Sequence, residues 1–273
     1  MAKRGTSISR TVFVTVMTLL MLGPLFWFVT SSLKNAEQFF SNPPVWIPIP
    51  PYVQNYGSMI RQTRILGNVV QSLKYALALS VTVVVSSSLA AYGFSRFRFP
   101  GRRFWFGILL ATMMVPIQVT TIPLFILFSR LDLVNTIWPL VLPNAFGVAY
   151  HVFLIRQFMN TIPAEIDEAA TIDGAGHFRR YLSIILPLTK PVLLVSGLFN
   201  FFFAWRDVWF SSIYLQRSEI QTIAVRLLSF IGDQRIQYGE LMAAAVVATV
   251  PVFVLYFSFQ RFLDRGITLV DLR

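Results

Sequence analysis

The sequence predicts an all-α membrane protein with six transmembrane helices. Hydrophobic residues make up 55% of the 273 positions and charged residues only 13%, a balance suited to a bilayer rather than a soluble core. Six apolar runs are long enough, or nearly so, to cross about 30 Å of hydrocarbon. The runs are continuously apolar, so each must satisfy its own backbone as helix; barrel strands would alternate.

The first run, 12–32, follows the basic start MAKRGTSISRTVFVTV. Its apolar stretch continues to about Thr30, too long for a signal-peptide core, which predicts an uncleaved first span. Segment 33–68 is rich in proline and aromatic residues (NPPVWIPIPPYVQNY) and predicts an ordered extended stretch at the membrane interface. The second, third and fourth spans fall at 69–94, 104–128 and 137–158, the fifth at 191–213 and the sixth at 241–262. Pro24, Pro116, Pro123, Pro139, Pro143 and Pro251 lie inside or near these runs, and neighbouring helices absorb such kinks in a bundle. Segment 214–240 carries mixed charge and an apolar pattern, Ile223, Leu227, Leu228 and Ile231, that predicts an outer amphipathic helix. The two long outer segments either cover the bundle or meet a partner outside.

Orientation follows from lysine and arginine. With the N-terminus inside, fourteen lie on the cytosolic side (Lys3, Arg4, Arg10, Arg96, Arg98, Arg102, Arg103, Arg156, Arg179, Arg180, Lys190, Arg261, Arg265 and Arg273). Nine lie outside (Lys34, Arg61, Arg64, Lys74, Arg130, Arg206, Arg217, Arg226 and Arg235). Both termini and the polar stretch after the fourth span are therefore expected in the cytosol.

The net charge of +11 does not point to nucleic acid, because the basic residues flank apolar runs instead of forming one polar domain. Cysteine is absent, which removes disulfides and thiolate metal sites. His151 and His177 lie in different segments and suggest no zinc site. Gly174 and Gly176 are not followed by the lysine of a phosphate loop, and neither a G-x-S-x-G elbow nor an HExxH pair occurs. Four of the twelve carboxylates crowd one open polar stretch, a poor place for acid–base chemistry that needs desolvation. The expectation is a non-enzyme that draws its energy from a partner.

That polar stretch, 165–191, interrupts the apolar sequence. Pro163 stands near its start after the capping types Asn160 and Thr161. Glu165, Asp167 and Glu168 suit a first helical turn, and Gly174 and Gly176 a stop. Ile166, Ala169, Ala170 and Asp173 are expected on one face, the alanines allowing close approach by another surface. A second short helix, about 178–186, is expected to end before Pro187. The stretch is either a plain solvated connection or a docking element for a cytosolic partner.

Polar residues inside the runs are few. Arg206 and Asp207, in NFFFAWRDVWF, are adjacent and so cannot pair on one helix. Either Arg206 snorkels to the outer interface beside Trp205 and Trp209, or Arg206 or Asp207 faces a polar path with the tryptophans stacking on a sugar. Gln118 and Asn144 stand beside prolines (MVPIQVTTIP, LPNAFG) and suit either interhelical hydrogen bonds or contact with a polyol. The first four runs contain no carboxylate for a proton relay, which argues against a proton-coupled carrier.

Glu168-Ala169-Ala170, three residues, Gly174, nine residues, Ile184, one residue and Leu186-Pro187 resembles the "EAA" loop of ABC-importer permeases, and Asp173-Gly174-Ala175 extends the likeness. RFRFPGRR, MVPIQV, LVNTIWPLVLP and FAWRDVWF are similar to the carbohydrate-uptake group, the shorter permease of the maltose and glycerol-phosphate type. The resemblance implies a type I importer permease (MetI-like) core over 69–262 in a bacterial plasma membrane. Before it come the tail, first span and outer loop (1–68); a coupling loop (160–190) lies within it, and a cytosolic tail (263–273) follows. It implies a translocation path shared with a second, different permease, and an extracytoplasmic solute-binding protein. It also implies two cytosolic ATPases that bind the ATP and magnesium, with no cofactor in this chain. Glu165, Glu168, Ala169, Ala170, Asp173, Gly174, Ala175, Ile184, Leu186 and Pro187 would form the ATPase contact. Three features depart from the group. Tyr181 stands where phenylalanine is usual, Arg206 replaces an asparagine and would suit an anionic sugar, and RGITLVDLR lacks the usual tail. An importer of amino acids, polyamines or peptides, or a carrier working alone, remains the alternative.

Overall fold

The computed structural model describes residues 8–232 and 237–268. Lys3, Arg4, Arg235, Arg273 and the last five residues of the tail lie outside the described residues. All regular structure among the described residues is helical. In chain order the helices are α1 (Ile8–Ser31), α2 (Ala36–Phe39), α3 (Gln54–Gln62), α4 (Ile65–Arg96), α5 (Arg102–Ala111) and α6 (Thr121–Arg130). Next come α7 (Trp138–Val141), α8 (Ala149–Met159), α9 (Ala164–Ile172), α10 (His177–Arg180), α11 (Leu186–Leu188) and α12 (Lys190–Trp205). The last are α13 (Trp209–Tyr214), α14 (Ile223–Gly232) and α15 (Tyr238–Thr268).

Among the described residues three helices are long and apolar enough to cross a membrane unbroken, and six spans result if three bent pairs each count as one. The breaks were only partly legible. The expected span 104–128 is two helices, Arg102–Met114 and Ile117–Arg130, set at 87°. Val115 takes an extended conformation at the bend, as the residue before Pro116 must when the proline ring crowds it out of the helical region. The expected span 137–158 bends by 44° between Asn144 and Ala149. Pro24 and Pro251, in contrast, sit inside continuous helices.

The chain forms two compact units. In the first, 1–66 with 226–251, α1 is apolar all round, and none of its most apolar stretch is buried within the protein. A helix of that kind needs lipid or another chain around it. The segment after it is less extended than the prolines suggest, because Asn35 and Gln38 form a capping box that nucleates α2. Both X-Pro bonds Asn42-Pro43 and Ile49-Pro50 are cis. Asn55 on α3 is buried, and its Nδ2 donates to the carbonyls of Ser32 and Lys34, both at 2.9 Å. Lys34 is itself buried, with Nζ 3.5 Å from the centre of the Trp27 ring and 3.4 Å from Ser31 Oγ. Burial holds its ammonium below the usual lysine range.

In the second unit, 67–225 with 252–273, the core lies where the end of α4, α8 and the 177–192 segment meet. Ala91, Tyr92, Val152, Ile155, Met159, Tyr181, Ile185 and Val192 fill it. His151 on α8 is clamped against α12: Asn200 Nδ2 donates to its Nε2 at 2.9 Å, and Ser196 Oγ lies 2.8 Å from its Nδ1. Because Asn200 Nδ2 also bonds the Ser196 carbonyl, the ring is read as the neutral Nδ1–H tautomer, donating to the serine.

Within segment 214–240 the expected helix is α14, which spans the pattern Ile223, Leu227, Leu228 and Ile231. Ile223 is buried there, but Leu228 and Ile231 are exposed, so the four apolar residues do not form one covered face.

Candidate docking segment and path residues

Docking helix α9 runs over Ala164–Ile172 with Pro163 before it and no side-chain cap. Asn160 and Thr161 do not serve it. Asn160 closes α8, and Thr161 Oγ1 donates back to the Phe158 carbonyl. The stop is as expected. Gly174 adopts φ +75°, with Ala175 N–H reaching the Ala170 carbonyl (2.9 Å) and Gly174 N–H the Thr171 carbonyl (3.0 Å). This Schellman pattern requires a left-handed residue at position 174, where glycine is unstrained.

The faces of α9 differ from the expected ones. Ala170 is buried and Ile166 packs on the core, whereas Ala169 and Asp173 are exposed. The outward stripe is Glu165, Glu168, Ala169 and Ile172, at helical spacing i, i+3, i+4, i+7. Ile172 is 87% exposed and Phe178, just beyond, 70%. The outward face of α9 is therefore acidic and carries one bare apolar side chain, Ile172.

The following helix does not stop before Pro187. It continues through α10, a π-helical turn at Tyr181–Ile185, and α11 to Leu188, then bends by 77° into α12. Proline at 187 has no N–H to give to a helical ladder, and it falls in the first turn of α11 directly after the π turn. Ile184 and Leu186 pack on the core, Ala175 is half-buried, and Pro187 is exposed. Four of the ten predicted contact residues, Ala170, Ala175, Ile184 and Leu186, therefore shape the segment from within.

One face of α4 grips this segment. Ser88 Oγ lies 2.7 Å from Tyr181 Oη, Tyr92 Oη donates to the His177 carbonyl (3.2 Å), and Arg96 Nε lies 2.9 Å from Asp167 Oδ2. Arg96 Nη2 also donates to the Ile162 carbonyl at 3.1 Å. Arg180 closes the far side, with Nη1 2.7 Å from Thr171 Oγ1. Sequence reasoning did not single out Asp167, Arg96 or Arg180 as a cluster. The tyrosine hydroxyl also explains the departure from phenylalanine at 181, since it has a buried partner in Ser88.

The candidate path residues scatter. Gln118 is exposed at the 87° bend, among bare Met113, Met114, Val115 and Ile117. Asn144 is half-buried, its Nδ2 3.3 Å from the Leu140 carbonyl and its own carbonyl 3.4 Å from Ser86 Oγ. Arg206 and Asp207 are not inside a helix: α12 ends at Trp205 and α13 begins at Trp209. Trp205 is buried and stacks on Phe201 at 5.6 Å, which removes it from sugar contact. Asp207 is turned inward too. Its carboxylate accepts from Phe210 N (3.1 Å), Ser211 N (3.0 Å) and Ser211 Oγ (2.8 Å), capping α13. Arg206 and Trp209 remain exposed at the break. Among the described residues no cluster of three metal-ligating side chains occurs.

A helical membrane chain of broken spans, bearing a two-faced polar helix between them, defines the class: a multi-span membrane subunit that works with a partner. Residues 82–269 match the family described as "Binding-protein-dependent transport system inner membrane component", and the chain belongs to that family of ABC-importer permeases. It is 31% identical to the probable ABC transporter permease protein YurM of Bacillus subtilis, over 89% of this chain and 81% of the relative. The maltodextrin transport system permease protein MdxG of the same organism is 32% identical (94% and 92% covered). The sn-glycerol-3-phosphate transport system permease protein UgpE of Pectobacterium atrosepticum is 31% identical, with 97% of both chains covered. The fold is similar to a chain in a crystal structure of a bacterial ABC transporter involved in alginate import. That likeness has a TM-score of 0.82 at 21% identity, with 96% of this chain and 99% of that one covered.

Proposed function

We propose that this chain is a permease subunit of an ATP-driven importer for a sugar or sugar derivative. The observation that carries the reading is the outward stripe of α9, Glu165, Glu168, Ala169 and Ile172, left bare beside Phe178. Two cytosolic ATPases, holding the ATP and magnesium, receive such a stripe, while the buried Ala170 and Ile166 fix its angle. The exposed apolar side chains around the bend at Val115, with Gln118 among them, suit lipid and a second permease. The solute-binding protein delivers from the other side.

The sugar assignment is supported by relatives named for maltodextrin and glycerol phosphate. Arg206 and Trp209, exposed together at the end of α12, give an anionic group and an apolar sugar face their partners. Labelling tests the orientation directly, since the chain has no cysteine of its own. A Glu168→Cys variant should react with a membrane-impermeant maleimide in inverted vesicles and not in intact cells. Reaction only from outside the cell would end the docking reading.

A further inference from the structure

Helix α4 carries two polar stripes, and each bonds a different segment of the chain. The inner stripe is Ser88, Tyr92 and Arg96, spaced four apart, and it holds Tyr181, the His177 carbonyl and Asp167. The outer stripe is Asn68, Ser72 and Tyr75. Asn68 Nδ2 donates to the carbonyls of Ser218 (3.1 Å) and Gln221 (2.7 Å), and Ser72 Oγ accepts from Ile223 N at 2.7 Å. Tyr75 Oη lies 3.5 Å from Asp207 Oδ2, beside the exposed Arg206. The helix that carries both stripes is unbroken over its 32 residues, about 48 Å at the usual rise. Of the five other candidate spans among the described residues, three are bent pairs, at 87°, 44° and 77°.

We infer that α4 is a rigid rod transmitting displacement of the docking helix to the 207–223 segment, with Arg96 and Asp167 as the positioning pair at its driven end. Apolar packing alone holds α9 weakly, since Ala170 is its one buried residue. The ion pair between Arg96 and Asp167 therefore decides whether α9 and α4 move together. Both side chains are only 13% and 14% exposed, so water competes little for the pair. The partner that pushes on α9 is the ATPase proposed above, and this inference rests on that reading. Arg96 is the last residue of α4 and Arg156 Nε bonds the Phe94 carbonyl at 3.1 Å, so α8 braces the same end.

The test uses the whole transporter, reconstituted with its second permease, ATPases and binding protein, and ATP as the probe. A bimane fluorophore on Gln216→Cys reports the outer segment, and spin labels on Ala164→Cys and Gly93→Cys report whether α9 and the end of α4 move as one. With Arg96 and Asp167 intact, ATP should change the bimane signal while the spin–spin distance stays constant. In Asp167→Asn the ATPases should still co-purify, but the bimane response should vanish and the spin–spin distance should change with ATP. Exchanging the charges, Arg96→Asp with Asp167→Arg, should restore the response. A full bimane response in Asp167→Asn overturns the rod and leaves the docking reading standing. Loss of ATPase co-purification in Asp167→Asn, without rescue by the exchange or by Asp167→Glu, also overturns it, because the pair then serves only docking. If the chain with both residues intact never captures the ATPases, both readings fail.

Discussion

Tyr181 Oη and Ser88 Oγ lie 2.7 Å apart in the core, joining the π turn after α9 to the C-terminal half of α4. Ser88 Oγ has a second partner, the Val85 carbonyl at 2.9 Å, whereas the tyrosine hydroxyl has none beyond Ser88 among the hydrogen bonds described. Removing one or the other is therefore unequal. Tyr181→Phe leaves a satisfied serine and should cost about 1 kcal/mol or less, while Ser88→Ala strands a buried hydroxyl and should cost about 1–3 kcal/mol. Thermal unfolding of the purified complex in detergent measures both. The double variant should lie close to Tyr181→Phe alone.

Asp207 gathers three donors at the start of α13 and a fourth from Tyr75. Asp207→Ala should destabilise the complex by about 2 kcal/mol through loss of the cap and orphaned donors. Arg206→Gln, at an exposed position, should leave melting unchanged and alter only uptake. Equal melting losses for both would show that the pair acts as one structural unit.

Gly174 combines φ +75° with open space where a Cβ would stand. Gly174→Ala should cost only the left-handed penalty, about 1 kcal/mol, in the melting of the isolated chain. If an ATPase fills that space, the same substitution should weaken ATPase capture far more than melting, and Gly174→Val more again. Capture unchanged in both variants would mean that no partner approaches there.

Gly239 is the opposite case. A Cβ there would sit 2.7 Å from Asn55 Cγ, and Asn55 is pinned by two carbonyls. Gly239→Ala should therefore cost about 1–3 kcal/mol from overpacking. In an Asn55→Ala background the added cost should largely disappear, a coupling that melting of the four variants reads directly.

Much of this was legible along the chain. The spans follow from apolar runs, and Glu168 through Pro187 marks a candidate docking segment by its resemblance to the EAA loop. Gly174 is a stop because only a residue at ease with positive φ closes a helix in that way. The breaks at Val115 and at Arg206 were less visible. A proline signals a bend, but its neighbours decide whether the helix kinks or ends, as the continuous helices through Pro24 and Pro251 show.

Composition and continuous hydropathy determined by themselves that this is a helical membrane protein, and the resemblance of one spaced motif marked it as a permease. These are local properties, written in the period of a helix or the length of a run. Only the tertiary structure decided that Ala169 faces out and Ala170 in, that Trp205 and Asp207 serve the core, and that Arg96 meets Asp167. Such pairs join residues far apart in the chain, and nothing in either neighbourhood encodes the other; packing brings them together, and burial makes the contact matter.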